Sequence, residues 1–392
     1  MKKIILKRGK EKSVLRKHPW VFSGAIYKIE FSTPLIEGDL VEVTDARNNF
    51  LAKGFYGKGS IAVRIISFTN EPVNFDFWYS KIQAAYQLRK ILGLANNPNT
   101  NIYRLFFGEG DGISGLIIDI YHKTAVIQCH HTGIHRFAED IAEAILKVYE
   151  NKIDAIYDKS SEALHDPNIQ NRYLFKRKSP DNICMENQVL YKVDWEGGQK
   201  TGFFIDQRDN RQLLGKYAKD KKVLNAFCYT GGFSLAALKH GAKWVDSVDI
   251  SESAVKTTEE NIMLNNFSNH QSHIADVLKY LKNQDISQYD IVVLDPPAFA
   301  KNLKKKHNAV QGYKRLNALT LSKMKPGSML FTFSCSQVVD KNLFYNTIVS
   351  AAMETGRNIK VLHHLSQPAD HPVNIYHKEG AYLKGLVLYI QE

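Results

Sequence analysis

From about residue 190 onward the chain alternates short apolar runs with stretches of helical spacing, and this constrains the fold more than any other feature. Runs suited to strands fall at 222–227, 244–249, 273–276, 290–294, 328–334, 359–365 and 382–390, with helical spacing near 233–240, 251–265, 277–283, 309–325 and 340–356. Strands separated by helices pair in parallel, because a parallel neighbour needs a long crossover and a helix supplies it. The expected class is therefore α/β, a Rossmann-like, doubly wound sheet of seven strands with ligands at the C-terminal strand ends. No good helix separates the last two runs, which predicts a terminal hairpin with one antiparallel strand.

Five of those strand ends carry chemistry. Val223-Leu-Asn-Ala-Phe-Cys-Tyr-Thr-Gly-Gly-Phe-Ser234 runs from an apolar strand through a glycine pair into a helix. Glycines there permit a tight turn and close backbone approach, and a helix N-terminus offers N–H groups to an anion. The dinucleotide fingerprint Gly-x-Gly-x-x-Gly is missing, which disfavours a pyrophosphate ligand. The next strand ends on Asp249, where a carboxylate can accept hydrogen bonds from ribose hydroxyls, and Ser251 competes for the helix cap. A third ends on Asp276, which has a helix cap as its structural alternative. The fourth ends Asp295-Pro-Pro, an acceptor on a rigid backbone, and the fifth ends Ser334-Cys-Ser336, a polar-flanked thiol where a nucleophile would be useful.

The first half reads differently. Residues 4–68 have β-type runs punctuated by Gly38, Gly54, Gly57 and Gly59, as in a small barrel. Helical spacing over 77–94, a hairpin at Leu116–Ile120 and Thr124–Gln128, a helix at 135–149 and a strand at 153–157 suggest a central α+β domain. The expected division is 1–72, 73–188 and 189–392.

Lys and Arg number 52 against 40 Asp and Glu, a net charge of +12, and residues 1–17 hold eight bases against Glu11 alone. Such a balance favours a polyanionic partner. Neither a secretory signal nor a membrane span is evident, and four scattered cysteines make no disulfide framework, so a reducing cytoplasm is the expected setting. Cys129-His-His-x-x-x-His135 has metal-ligand residue types but reads as a capped hairpin end. His363, His364, His371 and His377 read as structural or as facing the polyanionic partner, and no metal is assigned.

Together these residues resemble the bacterial 23S ribosomal RNA cytosine carbon-5 methyltransferases, which join an N-terminal PUA domain to a class I S-adenosylmethionine-dependent methyltransferase domain. The resemblance covers nearly the whole chain, through Lys17-His-Pro-Trp-Val-Phe22, Gly112-Ile-Ser-Gly-Leu116, Lys200-Thr-Gly-Phe-Phe-Ile-Asp-Gln-Arg208, Tyr229-Thr-Gly-Gly-Phe233, Asp295-Pro-Pro, Ser334-Cys-Ser336 and Gly380-Ala-Tyr-Leu-Lys-Gly385. It implies S-adenosylmethionine as cofactor, with Gly231 at its methionine part, Asp249 at the ribose and Asp276 at the adenine. Asn225, Phe227, Tyr229, Thr230, Ile250, Ser251, Val277, Asp295 and Pro296 would line the same site, closed by Phe204, Gln207 and Arg208. Cys335 would add to cytosine carbon 6, and Asp295 would hydrogen-bond the ring edge; the base that removes the carbon-5 proton is unassigned. Lys2, Lys3, Lys7, Arg8, Lys17, Lys301, Lys304, Lys305 and Lys306 would hold phosphates of ribosomal RNA, and Phe299 would stack on a base. A homodimer is allowed for. Two rivals stay open: methylation of a guanine nitrogen, which needs no thiol, and an RNA-binding assembly factor with a silent cofactor fold.

Overall fold

A computed structural model of the chain describes residues 2–31, 33–177, 180–300 and 302–391. Contacts divide it into two compact units, one of residues 1–185, 193–205 and 369–380, the other of residues 186–192, 206–368 and 381–392. The first two regions expected from sequence, 1–72 and 73–188, thus fall in one unit apart from residues 186–188, and short excursions exchange chain between the units.

The first unit holds two sheets, each over its own apolar cluster. The N-terminal sheet has the order Trp20–Phe22, Ile61–Ser67, Phe50–Tyr56, Leu40–Thr44, Lys3–Leu6, Ile26–Glu30. Its pairs are antiparallel except Lys3–Leu6 with Leu40–Thr44. Ile4, Leu6, Val41, Val43, Val63 and Ile65 alternate along these strands and bury one face. A five-stranded sheet follows, with the expected hairpin at its centre: Leu116–Tyr121 pairs with Thr124–Cys129 around a two-residue turn in which His122 has φ 55°. Helices Phe75–Ile91 and Ala138–Val148 cover this sheet. Ile102–Phe107 and Arg172–Lys176 are strands that the sequence did not single out. The second lies half-exposed at the sheet edge, where no apolar alternation is demanded.

The second unit contains the seven-stranded sheet. Its strands are β1 (Lys222–Ala226), β2 (Trp244–Asp249), β3 (His270–Ile274), β4 (Ile291–Leu294), β5 (Met329–Ser334), β6 (Ile359–Leu365) and β7 (Lys384–Ile390). Among them run helices α1 (Arg208–Ala218), α2 (Gly232–Lys239), α3 (Glu252–Leu264), α4 (Val277–Asn283), α5 (Lys306–Lys323) and α6 (Lys341–Thr355). The order across the sheet is β3-β2-β1-β4-β5-β7-β6. Strand order reverses between β1 and β4, and their C-terminal ends lie side by side there. β1 and β4 are buried almost throughout because both faces are covered, hence the unbroken apolar runs.

Three expectations shift. β3 is displaced from 273–276 to His270–Ile274: an edge strand of mixed burial, His-Gln-Ser-His-Ile, shows no apolar run to mark it. α1 was not anticipated, because its buried side includes Asn210 and Arg211 rather than apolar residues alone. β7 is antiparallel to both β5 and β6, as the expected antiparallel strand requires, but no tight turn joins it to β6. The connection instead lends residues 369–380 to the first unit.

Candidate active site

The turn after β1 uses backbone that most residues avoid. Phe227, Tyr229 and Gly231 have φ of 64°, 48° and 82°, a conformation that costs a residue with a Cβ roughly 1–2 kcal/mol. Such strain persists only where neighbours over-determine it. Here α3 does so: Thr258 Oγ1 donates to the Tyr229 carbonyl (2.9 Å) and Asn261 Nδ2 to the Thr230 carbonyl (3.0 Å). Arg211 of α1 packs against Gly232 and pairs with Glu186 through two buried hydrogen bonds of 2.8 and 2.7 Å. A Cβ at Gly231 would stand 2.7 Å from Thr258 Cγ2 and 2.9 Å from Leu235 Cδ1, so both conformation and space demand glycine. α2 starts at this glycine with no side-chain cap, which leaves its first N–H groups for a ligand or water. Asn225, by contrast, is fully buried. Its Nδ2 donates to Ser234 Oγ (2.8 Å), which continues to Ser247 and His270. It is a core residue rather than part of the turn's surface.

The carboxylates behave less simply than their positions suggest. Ser251 takes the α3 cap, accepting from Ala254 N (3.3 Å). Asp249 is nevertheless engaged, Oδ2 accepting from Tyr229 N and Oδ1 from Ser251 N, both at 3.0 Å. It ties the strained turn to the end of β2, and each oxygen keeps a further lone pair. Asp276 caps α4 by accepting from Lys279 N (2.9 Å), the structural alternative noted for it. Ile250 is 70% exposed at the same edge, while Val277 is buried.

Asp295 and Cys335 follow neighbouring strands β4 and β5, which pair in parallel register from Ile291 with Met329 to Leu294 with Thr332. Asn210 Nδ2 donates to Gln207 Oε1 (2.6 Å), and the Gln207 side chain in turn hydrogen-bonds the Asp295 carboxyl. β7 closes the other side. Tyr382 Oη donates to Asp206 Oδ2 (2.6 Å), and Lys384 Nζ donates to the carbonyls of Ser336 (2.6 Å) and Tyr382 (2.8 Å). Burial, reinforced by the charge of Asp206, pushes Asp295 up to about 7, against the pull of Gln207 and Arg211. Burial and the carboxylates of Asp295 and Asp206 push the Cys335 thiol up to about 11, with Lys384 opposing them. Burial pulls Lys384 down to about 8. The cluster therefore offers a carboxyl that can carry a proton near neutrality beside a sulfur that a cation can activate. Cys129, Cys184 and Cys228 are buried, and burial pushes their thiols up further than that of Cys335.

Of the other predicted site residues, Gln207, Arg208, Thr230 and Pro296 are buried, Phe227 and Tyr229 half-buried. Phe204 belongs to the first unit. Asp206, Arg211, Thr258, Asn261, Tyr382 and Lys384 were given no role from sequence. The Asp-Gln-Arg triplet at 206–208 and the Tyr-Leu-Lys triplet at 382–384 were the available signals.

The basic residues divide. Lys2 is consumed by an ion pair with Asp39 and a hydrogen bond to Pro34 O, and Lys3 is half-buried in its strand. Lys7, Arg8 and Lys17 are exposed, although Lys7 donates to Gly24 O (3.0 Å) and Lys17 lies over the Phe68 ring. Lys304 and Lys305 are exposed and Lys306 half-buried at the start of α5; Lys301 lies outside the described residues. Phe299, expected as a stacking platform, is half-buried and packs its ring 4.6 Å from that of Tyr313 and against Gly312. His131 Nδ1 caps a helical turn, and His135 pairs with Asp158 (2.7 Å).

Comparison with known proteins agrees with this construction. The sequence signature of a PUA-like domain matches residues 4–68, and that of an S-adenosylmethionine-dependent methyltransferase matches residues 174–388. A protein of Tolumonas auensis named Ribosomal RNA large subunit methyltransferase I is 36% identical over 396 residues, covering 98% of both chains. Its namesake from Vibrio cholerae is 39% identical, covering 97% of this chain and 98% of its own. A solved structure from Streptococcus mutans, 24% identical, superposes with a TM-score of 0.84 over 99% of this chain and 100% of its own, showing the same fold. The residues fit S-adenosylmethionine: the glycine turn has no room for side chains, and Asp249 and Asp276 retain free lone pairs beside exposed Ile250. The chain belongs to the S-adenosylmethionine-dependent methyltransferase family, in the branch that carries an N-terminal PUA-like domain.

Proposed function

We propose that the chain methylates carbon 5 of a cytosine in large-subunit ribosomal RNA. The substrate class follows the name shared by relatives that match nearly end to end. The carbon-5 position rests on one observation: a half-buried cysteine and a carboxyl raised to about 7 stand at the ends of adjacent strands.

Cytosine carbon 5 is a weak nucleophile until carbon 6 has accepted a thiolate. In this reading the Cys335 sulfur adds to carbon 6 while Asp295, protonated near neutrality, delivers its proton to ring nitrogen 3. S-adenosylmethionine supplies a methyl group on a cationic sulfur. Gly231 would bring bare backbone toward its methionine end, and Asp249 and Asp276 would accept from the ribose and adenine sides. Lys384 favours the thiolate, since its ammonium opposes the carboxylates that disfavour it. A base stacked in a helix cannot enter such a site, so the target is unpaired or extruded. Exposed Lys7, Arg8, Lys17, Lys304 and Lys305 hold phosphates. A cytoplasmic setting suits this substrate, and no helix among the described residues is long and apolar enough to cross a membrane.

The decisive experiment is Cys335→Ala with transcribed 23S RNA and mass-spectrometric mapping of the product. Loss of 5-methylcytosine with cofactor binding intact supports the reading. Retained methylation, or a methyl group on a guanine nitrogen, overturns it.

A further inference from the structure

The carbon-5 reaction ends with a proton to remove, and the second unit contains an unassigned carboxylate beside the reacting groups. Asp206 lies in the short helical turn Ile205–Gln207 that leads into α1. Its neighbour Gln207 hydrogen-bonds Asp295. Its own Oδ2 accepts from Tyr382 Oη (2.6 Å), and the backbone carbonyl of that tyrosine shares the Lys384 ammonium with the Ser336 carbonyl, one residue past Cys335. Asp206 is thus tied to the Asp295 strand on one side and the Cys335 strand on the other. Its charge acts on Asp295, Cys335 and Arg211, and its direct hydrogen-bond partner is the Tyr382 hydroxyl. Only one of its oxygens is used. Oδ1 is buried and has no hydrogen-bond partner among the described residues. A buried carboxylate oxygen left unsatisfied costs on the order of 1–3 kcal/mol, and such exceptions ask for an explanation.

Resting on the carbon-5 reading above, we infer that Asp206 is the catalytic base that takes the carbon-5 proton from the methylated adduct. After methyl transfer, carbon 5 bears both the new methyl group and its original hydrogen, and carbon 6 is bonded to Cys335 sulfur. Asp206 Oδ1 takes that hydrogen as a proton. The carbon–hydrogen pair becomes the carbon 5–carbon 6 double bond, the sulfur–carbon 6 bond breaks, and its electrons leave with the Cys335 thiolate. The proton on ring nitrogen 3 returns to Asp295, and Asp206 releases its own proton to water before the next turnover. The two carboxyls divide the work, Asp295 as acid at nitrogen 3 and Asp206 as base at carbon 5. Tyr382 is a positioning residue that holds the base by its other oxygen.

The test uses the full chain, S-adenosylmethionine carrying a labelled methyl group, and transcribed 23S RNA made with either cytidine or 5-fluorocytidine. Fluorine cannot leave as a proton, so wild-type protein should form a denaturant-stable adduct with fluorinated RNA and none with ordinary RNA. Asp206→Asn should form the labelled adduct with ordinary RNA too, with product release slowed about 100-fold or more, and Asp206→Glu should restore part of that release. Should Asp206→Asn fail to bind S-adenosylhomocysteine, Tyr382→Phe decides: a several-fold slower release with unchanged cofactor binding supports the assignment, and a wild-type rate overturns it. Wild-type release in a folded Asp206→Asn protein also overturns it. If wild-type protein forms no adduct with fluorinated RNA, the carbon-5 reading fails and the base assignment falls with it. An adduct there, without accumulation in Asp206→Asn, removes only the base.

Discussion

At the residue scale, the proposed chemistry turns on how three side chains set one another's charge. Lys384 is the cation nearest in effect to Cys335, so Lys384→Met should raise the thiol's pKa further and slow its alkylation by iodoacetamide about 3- to 10-fold at pH 8. An unchanged rate-against-pH curve would remove Lys384 from the activation. Asp295 titrates in the opposite sense to a stabilising carboxylate. Folding raises it from 3.8 to about 7, so between those values the native state binds more protons than the unfolded one and stability falls as pH rises. Asp295→Asn should abolish that fall, stabilising the protein by on the order of 1–3 kcal/mol at pH 8 and little at pH 4. Denaturant melts at the two pH values would show it. Asp295 and Cys335 were legible in the sequence because each ends an apolar run. Asp206 was not, because the hydrogen bond that ties it into the cluster comes from Tyr382, 176 residues away.

At the element scale, the glycine turn shows how strain is held by an adjacent helix. Gly231→Ala would combine a φ of 82° with a contact 2.7 Å from Thr258. It should destabilise the protein by about 1–3 kcal/mol and weaken S-adenosylhomocysteine binding, as calorimetry would measure. Full affinity would mean that the turn relaxes freely. Elements with a clear apolar period, β1, β4 and α3, fell within a residue or two of expectation. β3 and α1 did not, since an edge strand of polar residues and a helix burying Asn210 and Arg211 obey tertiary demands that the local pattern does not carry. Asp276 took the capping role that is common at such junctions. Asp249 escaped it only because Ser251 took the cap.

At the scale of the whole molecule, two exposed basic groups contribute to the +12 charge, at residues 7–17 in one unit and 304–305 in the other. The lysines at the start of α5 lie at the positive end of its dipole, an arrangement that works against helix stability. Lys304→Glu with Lys305→Glu should therefore weaken RNA binding and lower the slope of log affinity against log salt by about 1.5 if both meet single-stranded phosphates, without loss of thermal stability. An unchanged slope would return them to the solvated surface. The placement of β7 has a further consequence, for how the molecule is made. β7 follows every other strand in chain order, yet it lies inside the sheet between β5 and β6. With β7 undocked, β6 has no partner in the sheet and β5 presents an open edge, so any such state exposes unsatisfied strand edges ready to pair with another chain. Refolding yield should therefore fall steeply with protein concentration, and a chain cut after residue 380 should aggregate instead of folding into a smaller sheet.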